Sequence, residues 1–194
     1  MASYRAIETI SDALVRLLEA SYDAADFDGQ PLTFDAYLHD DFENPMAMGA
    51  SLFLYRVTIN GVQRTPPGRT RSDGTRERAP LPLDLHYLIT IWARDATMQH
   101  RIAGWIMRTL EDTPVLPYGV LSTLRPDVFR PEESTEIIID DLSNEDLLRI
   151  WETLDTRGYA LSIPYRVRNV RVESDDVVHG DTPVQERIFP VEEV

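Results

Sequence analysis

Asp84 and His86 stand two residues apart in "LPLDLHYLITIWA", residues 81–93. On an extended chain, side chains at i and i+2 leave the same face. A carboxylate beside an imidazole can begin an acid–base relay or a metal site. Both chemistries need a third group. The chain offers His39, His100 and the pair Asp140–Asp141, but their spacing does not direct them toward Asp84 and His86. Two readings follow. One is a small hydrolase using Asp84 and His86. The other is the polar end of a strand, with His86 half-buried and bonded to Asp84 or to backbone, and Asp84 available to an Arg. The second is taken here, because His/Asp pairs arise from composition alone and no helper group is specified. Asp140 and Asp141 directly precede Ser143 and are read as carboxylates favoured by a helix N-terminus.

Other chemistries are excluded by residue type. There is no Cys, so disulfides, thiolate metal sites and a Cys nucleophile are absent. There is no Lys, and therefore no P-loop lysine. The patterns G-x-G-x-x-G, G-x-S-x-G and H-E-x-x-H do not occur.

A second constellation is electrostatic. Arg64, Arg69, Arg71, Arg76 and Arg78 fall in one Pro- and Gly-rich stretch, against Asp73 and Glu77. Five cations less two anions leave that stretch at +3, inside a chain of net charge −14. A solvated loop is the plain reading. The functional reading is a docking element for an acidic partner, another copy of the chain included. Arg166 and Arg168, on a later strand, join it as candidate partner contacts. The acidic balance itself argues against non-specific nucleic-acid binding, which depends on neutralising phosphates.

These residues need elements to hold them. Residues 4–22 put Ile7, Ile10, Leu14, Leu17 and Leu18 at helical spacing. Residues 34–42 suggest a short helical turn. "ASLFLYRVTI", 50–59, reads as a strand before the turn signal Asn60–Gly61. In 81–93 one alternating set is wholly apolar and the other turns apolar in its second half. That pattern suits a central strand covered by helices on both sides. Residues 96–111 form a helix capped by Asp95 or Thr97 and stopped before Pro114; Gly104 inside it suggests a close backbone contact. Trp105 and Trp151 are read as core positions on helix faces. Residues 134–142 read as a short strand, and 143–155 as a helix with a Ser143-x-x-Asp146 cap. Residues 158–174 read as a long strand, bulged after Asn169, where the apolar positions shift. Pro164 within it suggests a sheet edge. Seven acids and one Arg mark 173–194 as a tail.

The fold class expected is α+β: a single twisted, mostly antiparallel or mixed sheet flanked by helices. Residues 1–174 form the core domain and 175–194 an acidic C-terminal tail. No apolar run approaches the ~20 residues needed to span a bilayer. The N-terminus "MASYRAIETI" lacks the apolar segment of a secretory signal. A soluble protein made in the cytoplasm, without membrane contact, is expected.

The segment from Leu81 to Leu116, "LPLDLHYLITIWARDATMQHRIAGWIMRTLEDTPVL", resembles the signature of a family found in bacterial contractile injection systems. These are phage-tail-like particles of the antifeeding-prophage and Photorhabdus virulence cassette type, and the family is their tail-terminator or cap protein. "SLFLYRVTIN" and the opening "IETISDALVRLLE" are similar to it as well. The resemblance runs over residues 4–175. It implies a fold like that of contractile phage tail terminators, a homohexameric ring closing the distal end of the inner tube and sheath, and neither catalysis nor cofactor. The alternatives are a small hydrolase using Asp84 and His86 and a monomeric adaptor.

Overall fold

The first helix, α1 (Ala6–Ser21), buries Ala6, Ile10, Ala13, Leu14 and Leu18, one stripe at helical spacing. The structure is a computed structural model describing residues 4–62, 76–77, 79–129, 133, 135–154, 158–173 and 177–178. Further elements are β1 (Thr33–Tyr37), β2 (Gly49–Ile59), β3 (Arg76–Glu77), β4 (Leu81–Trp92), α2 (Ala96–Asp112), β5 (Val115–Leu116), α3 (Tyr118–Leu124), β6 (Thr135–Ile139), α4 (Asn144–Thr153), β7 (Ser162–Val172) and β8 (Val177–Val178). Short 3₁₀ helices cover Ala24–Phe27 and His39–Glu43.

Six strands form one sheet in the order β1-β2-β4-β7-β6-β5. The β1–β2 pair is parallel and the others are antiparallel, so the sheet is mixed, as expected. β3 pairs with β8, which brings the chain just past residue 174 back to the Arg-rich stretch.

β4 is central, and helices cover both of its faces. Leu83, Leu85, Tyr87, Ile89 and Ile91 join one core with α1, α2 and α3. Leu88 belongs to a second core with Phe42, Trp151 and Leu154, under α4 and the 39–43 turn. The fully apolar alternating set therefore faces the larger core. The set that turns apolar midway meets the smaller core only over its second half.

The helix starts follow local chemistry. The Asp95 carboxylate accepts the Met98 N–H at 2.9 Å, and the Ser143 hydroxyl accepts the Asp146 N–H at 3.1 Å. Gly104 departs from expectation. It is exposed, and a Cβ there would meet no atom within 4 Å, so no close contact explains it. Gly104→Ala should accordingly raise stability by about 0.5–1 kcal/mol, read as an upward shift of the urea midpoint. A lower midpoint would show that the glycine is needed. Trp105 is half-buried. Its ring lies 5.5 Å from Phe27, 5.6 Å from Phe34 and 6.4 Å from Tyr22, so it holds the β1 region to α2.

Two sequence expectations are corrected. Residues 33–37 are a strand, and the helical turn is confined to 39–43. β7 is an interior strand, between β4 and β6, not an edge. Pro164 is tolerated because of where it points. The N and C=O of one strand residue face the same side, and Pro164 O accepts the Asp140 N–H at 3.0 Å. The missing donor thus faces the point where β6 has already ended at Ile139, so no ladder bond is lost.

Candidate functional site

Asp84 and His86 are both buried on the α4 face of the sheet, 8% and 6% exposed. They do not bind each other. Leu83 pairs with Val170 and Leu85 with Val167, so Arg168 and Asn169 together oppose Asp84. This is the bulge expected near Asn169, which takes φ 63°. Asp84 Oδ1 accepts the Asn169 N–H at 3.2 Å and the Asn60 side-chain amide at 3.0 Å. The carboxylate fixes the bulge and the end of the β2–β4 pairing, and it serves backbone and amide donors in place of the Arg expected.

His86 reaches across the sheet. Its Nδ1 lies 2.5 Å from Asp140 Oδ2 and its Nε2 lies 3.0 Å from Thr58 Oγ1. Tyr55 O–H donates to the same Asp140 oxygen at 3.2 Å. Arg166 Nε stands 3.6 Å from Asp140 Oδ1, an ion pair too long for a hydrogen bond. Asp140 is therefore no helix cap; Ser143 does that work. Burial alone would push the Asp140 carboxyl up, but the hydrogen bond and charge of His86, with Arg166 and Tyr55, hold it below the usual carboxylate range. The Tyr55 hydroxyl is pushed well up, first by burial and then by the Asp140 charge and hydrogen bond.

Thr58, His86 and Asp140 have the connectivity of a nucleophile–base–acid relay. Their partners give the arrangement a structural meaning. Asp140 at the end of β6 binds β4 through His86 and β2 through Tyr55, and its own N–H binds β7. His86 is satisfied in either protonation state: Nδ1–H donates to Asp140, and Nε2 accepts from, or donates to, the Thr58 hydroxyl. His86→Ala should therefore cost about 1–3 kcal/mol of stability. It should remove no ester or peptide hydrolysis from the pure chain. A hydrolytic activity abolished by His86→Ala or Thr58→Val in a folded protein would refute the structural assignment.

Arg166 faces His86 in register, and Arg168 faces Glu136, with Arg168 Nη1 3.9 Å from Glu136 Oε2. Arg76 lies in β3, opposite Val178. Arg64, Arg69, Arg71 and Arg78 lie outside the described residues. Sequence reasoning missed Thr58, Tyr55 and Arg56. The hidden signal is a one-residue shift on β2: Leu54 pairs with Tyr87 but Arg56 with His86, leaving Tyr55 as an extra residue. After that shift, Arg56 and Thr58 share the face of His86. Among the described residues no group of His, Asp and Glu is arranged to hold a metal ion. No helix among them is long and apolar enough to cross a membrane.

The same fold occurs in two solved structures. One is the sheath/tube terminator of an extracellular contractile injection system, PVC, in its extended state. It is 20% identical, with a TM-score of 0.66 over 97% of this chain and 64% of that one. The other is the tube-terminating cap of the anti-feeding prophage, 18% identical, with a TM-score of 0.62 over 94% of this chain and 60% of that one. The chain thus spans less than two thirds of the length of either protein. No curated protein matches it. The family model described as the Pvc16 N-terminal domain matches residues 9–186, and the chain belongs to that family.

Proposed function

We propose that the chain is a structural cap of a phage-tail-like contractile injection system, a ring of six copies seated on the distal end of the inner tube and sheath. Family membership over residues 9–186, together with a fold shared with two tube terminators, carries this reading. The role is binding and closure, with no catalytic step and no cofactor. Its partners are other copies of itself, the tube and the sheath; nucleic acid and membrane have no part. Synthesis is in the bacterial cytoplasm, where the particle assembles. Residues 1–174 supply the core domain and 175–194 an acidic arm, with Arg64, Arg69, Arg71, Arg76 and Arg78 contacting partners.

Particles assembled without this chain should show tubes of scattered length by electron microscopy, where a cap makes lengths uniform. Light scattering should give a ring mass near six times 22.2 kDa, for the chain alone or as the mass the chain adds to each tube end. Unchanged tube lengths without the chain would overturn the proposal. A lone 22.2 kDa species bound to one partner would favour the monomeric adaptor.

A further inference from the structure

The sheet face that carries His86 also carries a row of cations in register. Arg56 on β2 pairs with His86 on β4, and His86 pairs with Arg166 on β7. Arg168 lies two residues along on the same face, opposite Glu136. Directly opposed residues on antiparallel strands share a face, so all three guanidinium groups stand on one surface.

Their hydrogen-bonding capacity is unspent. Arg56 is exposed and has neither hydrogen bond nor ion pair among the described residues. Arg166 and Arg168 are half-buried, and among the described residues the buried Nε of each finds no acceptor, so an incoming carboxylate would meet their terminal Nη atoms. Their nearest carboxylates, at 3.6 Å and 3.9 Å, are beyond hydrogen-bond distance. Asp140 is moreover committed to His86 and Tyr55. Arg101, Arg125 and Arg149 do find close acids, in Asp28, Glu8 and Glu145. Arg16 and Arg94, like the row, have none among the described residues, but they stand on helix α1 and before α2, away from one another. With 33 acids against 19 Arg, three unspent guanidinium groups side by side mark a carboxylate-binding surface.

We propose that this row binds the acidic C-terminal segment, residues 179–194, of a second copy of the chain. That segment carries Asp181, Glu186, Glu192 and Glu193 against the single Arg187. The guanidinium groups of the row and the carboxylates of the segment are opposite in charge, although Asp140 and Glu136 offset part of the row's charge. Row and segment are different surfaces, so each copy can bind one neighbour and be bound by another; that head-to-tail arrangement gives a ring where its rotation closes. The choice of a second copy rests on the ring reading above; the unspent arginines do not.

The test uses two forms of the full chain with different affinity tags. One has an altered row: Arg56→Glu, Arg166→Gln, Arg168→Gln. The other has a neutralised segment: Asp181→Asn, Glu186→Gln, Glu192→Gln, Glu193→Gln. Sedimentation velocity should show each form associating with itself about tenfold more weakly than the unaltered chain. Mixed together, the two forms should pair, because one retains the segment and the other the row, and added salt should weaken that pair. Arg56→Glu alone breaks no hydrogen bond or ion pair among the described residues and should weaken self-association without loss of folding. Self-association unchanged in Arg56→Glu or in the segment form overturns the proposal, and so does cross-linking of the segment to the row only within one chain. Copies that associate through the row but leave tubes uncapped would uphold this inference and sink the cap reading. Normal caps built from the row variant would do the reverse.

Discussion

Gly49→Ala should destabilise the chain by more than about 3 kcal/mol, combining backbone strain with the loss of packed aromatic surface. Gly49 opens β2 at φ +140°, a conformation that favours glycine. A Cβ built there would lie 1.8 Å from the Thr33 carbonyl oxygen and 2.7 Å from the Thr33 nitrogen. Both are backbone atoms and cannot rotate away. Thr33 is also Gly49's partner in the parallel β1–β2 pair, and its N–H donates to Met48 O at 3.1 Å. Relief therefore requires β1 to move off the sheet. Phe34 on β1 is 6% exposed and packs against Trp105 and Tyr22, so that movement opens the aromatic cluster between β1 and α2. Urea unfolding followed by Trp fluorescence measures the effect. A midpoint equal to that of the unaltered chain would show that the strand pair yields without cost.

Gly49 also shows where sequence reasoning stops. The periodic elements α1, α2, α4, β2 and β4 are legible, because their apolar residues recur at 3.6 or 2. The two-sided burial of β4 is legible from the change of pattern midway along it. The bulge of β7 is legible from the slipped alternation after Asn169. β1 is not, because "TFDAY" buries only Phe34 fully and depends on a parallel neighbour whose first residue must be glycine. The place of β7 is misread because Pro164 suggests an edge, and only the end point of β6 shows why no ladder bond is lost. His86 is recognised as a polar position, but its partner is 54 residues away, past a helix and two short elements. Residue spacing carries local geometry. The pairing of β4 with β2 and β7, which places Thr58, His86, Asp140 and the arginine row together, depends on sheet order, and periodicity is silent on it. The resemblance to a cap family, not any motif, is what pointed the reading to assembly.

Asp140→Ala should cost about 3–5 kcal/mol, the range for removing one member of a buried charged or hydrogen-bonded set. The Asp140 side chain is 8% exposed. Without it, the His86 Nδ1–H and the Tyr55 hydroxyl lose their acceptor, and Arg166 loses its nearest carboxylate. Asp140→Asn keeps the shape and one acceptor oxygen, and should cost about 1–3 kcal/mol. The two variants should also differ from the unaltered chain in acid. Its neighbours hold the folded Asp140 carboxyl below the usual carboxylate range. A depressed folded pKa gives stability that is complete above the unfolded value, about 4, and lost as pH falls through the folded value. The unaltered chain should therefore lose stability more steeply below about pH 4 than Asp140→Asn does, and the gap between them should narrow with acidification. Thermal unfolding from neutral pH down to about pH 3 measures this directly. A constant gap over that range would mean that the Asp140 charge contributes nothing, and that the cluster is held by shape and neutral hydrogen bonds alone.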